Sequence, residues 1–136
     1  MNRSDFMVGQ TVYLKTISHL RDCWKRERIV EATVIKIGKR YIHVVPGKPS
    51  KNVYRGWVYQ FDMQNDFKQK TENSIEYVLF LSEQAIQDYW QAKYLYVEIE
   101  KILNRHEHEI GIRSLKEIAT TLNIPLEYNK GDQSNA

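Results

Sequence analysis

The stretch IVEATVIKIGKRYIHVV, Ile29 to Val45, constrains the fold more tightly than any other part of the chain. Two apolar-rich runs flank Gly38-Lys39-Arg40. In the first run Val30, Ala32 and Val34 fall on one face of a strand, because strand side chains alternate with period two. The phase then slips, since Ile35 and Ile37 are apolar while Lys36 is charged. One extra residue re-aims every later side chain, so the slip predicts a β-bulge or sharp bend. Gly38 at the first central position predicts a type II′ hairpin turn, in which that residue has positive φ. In the second run Ile42 and Val44 point inward, and Tyr41 and His43 outward. The apolar residues of this hairpin make one wall of a barrel.

The remaining pattern supplies the other walls. After Gly9, a strand over Gln10–Thr16 places Val12 and Leu14 on one face, and Tyr13 and Lys15 on the other. Ser18–Arg28 is a polar, basic loop centred on Trp24. Pro46–Asn52 is a loop by its Pro, Gly, Ser and Asn content. A fourth strand is expected at Tyr54–Phe61, with Gly56 marking a bend. Asp62–Ser74 is expected to be a loop, and Tyr77–Leu81 a fifth short strand.

At Ser82 the period changes. Serine accepts hydrogen bonds from the free N–H groups of a first helical turn, so a helix is expected from Glu83 to about Asn104. It carries two apolar stripes. Ala85, Tyr89, Ala92, Tyr96, Ile99 and Leu103 form one; Ile86, Trp90, Tyr94 and Val97 form the other. That surface is wider than one contact normally uses. One side is expected on the barrel, and Trp90, Tyr94 and Val97 are candidates for a protein contact, including a homodimer through the long helix. A second helix, Leu115–Leu122, starts at the capping-box match Ser114 to Glu117 and is ended by Pro125. The fold class expected is α+β: a small five-stranded Src-homology-3-like (SH3-like) barrel over 1–81, a helical appendage over 82–125, and a flexible tail over 126–136.

Length and charge narrow the role. A chain of 136 residues suits one compact domain, or a small domain with an appendage. Cys23 is the lone cysteine, which favours a reduced, cytoplasmic setting. No signal peptide is expected from the first ten residues, and no apolar run suits a membrane span. Residues 1–70 carry 14 Lys and Arg against 6 Asp and Glu, a balance of +8; residues 71–136 balance at −5. A basic half joined to an acidic half suits a polyanion site on the first, or electrostatic pairing between the two.

Catalytic signatures are missing: there is no GxSxG, HExxH or phosphate-binding glycine loop. His19 and Cys23 lie four apart in a loop with no third partner that spacing identifies. His106 and His108 diverge by about 200° if helical, so they share a metal only in a strand or loop, and nothing nearby completes the ligand set. No enzyme, cofactor or metal is therefore expected.

Val8 to Leu14 looks like the opening strand of Tudor, chromo and KOW-type barrels, and Ala32 to Gly38 looks like their second strand. KOW-type barrels usually keep a glycine where this chain has Ala32, which argues against carrying over their ribosomal or transcription-factor binding. The whole arrangement resembles more closely small phage and prophage β-barrel domain proteins of Gram-positive bacteria. In these the hairpin, a Phe-Asp pair (Phe61-Asp62) and the junction YVLFLSEQA, Tyr77 to Ala85, come in this order. The likeness spans roughly residues 8–100 and implies an accessory protein of a mobile element.

The basic half supplies the candidate interface. Arg21, Lys25, Arg26 and Arg28 surround Trp24. Lys36, Lys39 and Arg40 crown the hairpin, and Lys48, Lys51 and Arg55 line the next loop. Such cations displace counterions from phosphates, and aromatic rings stack on unpaired bases. Trp24, Tyr41, Tyr54 and Trp57 are candidate groove aromatics, with Tyr41 and Trp57 assigned rather to the core. The hairpin tip is expected to act together with the Trp24 loop. Ser114–Pro125 resembles the first helix of a helix-turn-helix unit, but the residues after it form no recognition helix. Two partners follow: nucleic acid on the basic barrel, or a host protein, such as a defence nuclease, bound by an inhibitor.

Overall fold

The computed structural model describes residues 1–49, 57–105 and 110–127. Among these, six strands close into an antiparallel barrel: β1 (Thr11–Thr16), β2 (Ile29–Ile37), β3 (Tyr41–Pro46), β4 (Tyr59–Asp62), β5 (Lys68–Gln69) and β6 (Tyr77–Phe80). Each strand pairs with the next, and β6 returns to β1 with Leu79 opposite Leu14. Closure leaves the sheet without an open edge. Two helices follow, α1 (Glu83–Arg105) and α2 (Ile112–Thr121), so the chain is α+β. The residues group into two units, 1–96 and 97–136, with the division inside α1. No helix among the described residues is long and apolar enough to cross a membrane.

The barrel interior is the alternation made solid. Val12, Leu14, Ala32, Val34, Ile42, Val44, Phe61 and Leu79 are fully buried. Phe6 and Phe67, stacked at 5.5 Å, belong to the same core. The expected bulge is present: the β2–β3 register shifts between Val34 and Lys36, so Ile35 is the extra residue and Lys36 lies opposite His43.

Several expectations are corrected. The barrel has six strands, not five, because β5 lies inside the segment expected to be a loop. The turn that creates β5 contains no glycine; Asp66 and Phe67 take φ of 53° and 56° instead. A left-handed Phe is costly by about 1–2 kcal/mol, which its buried ring offsets. The hairpin turn is also different. Lys39 and Arg40 occupy its centre, and neither they nor Gly38 have positive φ. The Gly38 N–H donates to the Tyr41 carbonyl at 2.9 Å, and a side chain there would place its Cβ 3.2 Å from that oxygen. Close approach, rather than φ, is what glycine serves at this position.

Gly47 is where positive φ matters, at 72°. Its N–H donates to the Glu31 carbonyl at 2.7 Å, and its own carbonyl accepts from Thr33 Oγ1 at 2.6 Å. A Cβ would meet no neighbour, so the cost of Gly47→Ala is purely conformational. A loss of about 1 kcal/mol is expected, read as a lower urea midpoint at unchanged slope.

The helix ends follow the sequence in one case and depart from it in the other. Ser82 caps α1, with its Oγ accepting from the Ala85 N–H at 3.1 Å. In α2 the cap is Gly111, and Ser114 lies within the helix, so the capping-box boundary is overturned. Asn123, at φ 58°, ends α2 before Pro125 is reached. The Asn123 N–H donates to the Thr120 carbonyl, and that of Ile124 to the Ala119 carbonyl, a Schellman arrangement.

Candidate nucleic-acid interface

The β1–β2 loop carries the first group of candidates, and much of it is held against α1. The Trp24 ring meets Tyr94 edge-on at 5.5 Å. Beneath it Glu27 is buried: Oε1 accepts from Lys15 Nζ and from Trp90 Nε1, each at 2.9 Å, and Oε2 accepts from the Ser18 N–H at 2.8 Å. Lys15 is buried too, donating to the Thr16 carbonyl at 3.1 Å and lying 4.7 Å over the Tyr89 ring. Strand alternation turns Lys15 away from the barrel interior, and α1 covers that face. Trp90 and Tyr94, the candidates for a protein contact, thus engage their own chain; Tyr94 remains 46% exposed, and Val97 is buried.

Cys23 is buried beside this pair. Burial, with the Glu27 carboxylate adding to it, pushes its thiol up, away from the thiolate that a nucleophile needs. Arg26 is paired with Asp22 at 3.3 Å, and the Arg26 hydrogen bond holds the Asp22 carboxyl below its ordinary range. Arg21, Lys25 and Arg28 are exposed.

The hairpin tip lies at the other end of β2. That strand starts directly after the Trp24 loop and ends directly before the tip, a run of nine residues spanning up to about 26 Å. The structure therefore does not bring Lys39 and Arg40 together with Trp24. Lys48 is placed toward the loop end, 3.7 Å from Glu31. Lys51, Tyr54 and Arg55 lie outside the described residues, as do His106 and His108. Among the described residues no group of three or more His, Cys, Asp or Glu is placed to hold a metal ion.

Around the tip a different set of cations gathers. Arg40 forks onto Asp62, with Nε to Oδ1 at 3.0 Å and Nη2 to Oδ2 at 2.8 Å, and it lies 5.4 Å from the Tyr41 ring. The Arg40 hydrogen bonds hold the Asp62 carboxyl below its usual range, which keeps the pair ionised. Lys70 Nζ sits 4.6 Å over the same Tyr41 ring. Arg3 reaches in from the N-terminus, its Nε donating to the Gly38 carbonyl at 2.9 Å. Lys36 faces His43 across the β2–β3 ladder. Burial, helped by the Lys36 and Lys70 charges, pushes the His43 imidazole below its ordinary value.

Sequence reasoning found Lys36, Lys39 and Arg40 here. It missed Arg3 and Lys70. The outward phase of His43 was legible, but Lys70 depends on β5, which the segment Asp62–Ser74 does not announce. Tyr41, outward by its phase as expected though also assigned to the core, is half-buried on the outer face, with Arg40 and Lys70 near its ring. Trp57, also assigned to the core, is 79% exposed.

Lys70 also walls an open groove of about 700 Å³ between residues 57–60 and the loop joining β5 to β6. Trp57, Tyr59, Gln60, Asn73 and Glu76 are among its other walls. Tyr59 packs edge-on against Tyr77 at 5.2 Å, and burial raises its phenol.

A family model described as the phage ProQ C-terminal-like domain matches residues 1–125. No curated protein and no solved structure matches the chain.

Proposed function

The chain belongs to the phage ProQ C-terminal-like domain family, and from that footing we propose that it is a non-enzymatic accessory protein of a phage or mobile element whose basic barrel surface binds nucleic acid. The reading keeps the barrel SH3-like in kind and the setting the cytoplasm of the host cell. One observation carries it. At the hairpin end of the barrel Arg40 and Lys70 lie on the Tyr41 ring, Lys36 faces His43, Arg3 reaches the Gly38 carbonyl and Lys39 sits in the turn, with Asp62 paired to Arg40. Ammonium and guanidinium groups displace counterions from phosphates, giving affinity that falls steeply with salt. The Arg40–Asp62 pair holds one guanidinium in place while cancelling much of its charge, so the net attraction rests on Arg3 and the three lysines.

The test is direct. Labelled DNA and RNA are titrated with the purified protein at rising salt, and log affinity is expected to fall linearly with log salt. Absence of binding to both at low salt sinks the proposal. A tagged copy that captures one host protein stoichiometrically, with no affinity for nucleic acid, would move the reading to an inhibitor of a host nuclease.

His43 adds a pH dependence. In the free protein, burial and the Lys36 and Lys70 charges disfavour its protonation. A bound phosphate supplies negative charge beside it and raises its pKa, so binding takes up a proton. Affinity is expected to rise as pH falls from about 7 to about 5, and His43→Asn to flatten that rise. An identical pH profile in the variant would show that His43 lies outside the interface.

A further inference from the structure

We propose that the groove beside Lys70 takes an unpaired nucleobase, with Trp57 as its stacking platform, so that the protein prefers single-stranded to double-stranded nucleic acid. The inference rests on the nucleic-acid reading above and specifies its substrate. Three features carry it.

The first is the contrast among the three tryptophans. Trp24 meets Tyr94 edge-on, and Trp90 donates to Glu27. Trp57, at 79% exposure, presents its ring to solvent on the wall of a groove. An indole so placed offers a π-face that any base can stack on.

The second is the chemistry of the groove. It is not a channel for phosphates along its whole length, because Glu72 and Glu76 line it as well as Lys70. Asn73, Ser74 and these carboxylates supply the donors and acceptors that base edges use.

The third is continuity. Lys70 lines the groove and also lies over Tyr41, so it belongs to both the groove and the cationic patch. A strand with a phosphate on Lys70 lies at the groove that Trp57 also lines. A duplex keeps its bases paired and stacked, and offers the groove nothing to hold.

The experiment compares a labelled single strand of about 12 nucleotides with the duplex of the same sequence, in the parent protein, Trp57→Ala and Trp57→Phe. Trp57→Ala is expected to weaken single-strand binding by about 10-fold or more, leave duplex binding unchanged, and leave the salt slope unchanged, because stacking releases no counterions. Trp57→Phe is expected to restore much of the loss. Equal loss on both substrates, no loss on either, or a parent protein that favours the duplex would each overturn this inference while leaving nucleic-acid binding by the patch intact. A parent protein that binds neither substrate overturns both readings.

Discussion

Glu27→Ala is expected to cost about 3–5 kcal/mol of folding stability, the usual penalty for stripping one partner from a buried ion pair. A typical domain has only about 5–15 kcal/mol to lose. The side chains of Lys15 and Glu27 are 3% and 2% exposed, so water cannot replace the missing carboxylate. Removing Glu27 strands the Lys15 ammonium. It also takes the acceptor from Trp90 Nε1 and from the Ser18 N–H, and so loosens the β1–β2 loop from α1. Urea unfolding followed by tryptophan fluorescence reads both effects. Glu27→Gln keeps an acceptor but leaves the ammonium uncompensated, and should fall between parent and Glu27→Ala. The double change Lys15→Met with Glu27→Leu should recover part of the loss, because it removes both charges. A Glu27→Ala protein that unfolds at the parent's urea midpoint would show that this pair does not hold the loop.

The combined Lys36→Ala, Lys39→Ala and Lys70→Ala change is expected to lower affinity for nucleic acid by about 100-fold at low salt and to reduce the salt slope by about 2–3. None of these lysines is buried, so stability should move by no more than about 0.5 kcal/mol per site. Arg40 is left in place, since its removal would leave Asp62 without its partner. The control changes Arg21, Lys25, Arg26 and Arg28 to alanine, at the opposite end of β2. If the control loses binding and the hairpin-end variant keeps it, the interface is the Trp24 loop. Both ends carry positive charge, so only the pair of variants localises the contact.

Periodicity made much of the barrel legible. Val12, Leu14, Val34, Ile42 and Val44 alternate because a strand has two faces, and a closed barrel buries one of them. The bulge at Ile35 was visible for the same reason, as a break in that alternation. Ser82 announced α1 because an N-cap acts within one turn. Where local chemistry was ambiguous, reading failed. Asp66 and Phe67 adopt a conformation usually left to glycine, which concealed β5 and, with it, the placement of Lys70.

The candidate site was legible as composition but not as arrangement. The excess of Lys and Arg in the first 70 residues is a property of the chain, and it suited a polyanion from the outset. Which cations share a surface depends on where a strand's two ends point, and the length of β2 separates the Trp24 loop from the hairpin tip. Whether a tryptophan stacks inside or faces solvent depends on what packs over it, which no spacing encodes. Local rules act over a few residues and survive in the order of the chain. The Glu27–Trp90 contact, 63 residues apart, and the Lys70–Tyr41 contact exist because barrel closure and the docking of the first turns of α1 bring distant segments together.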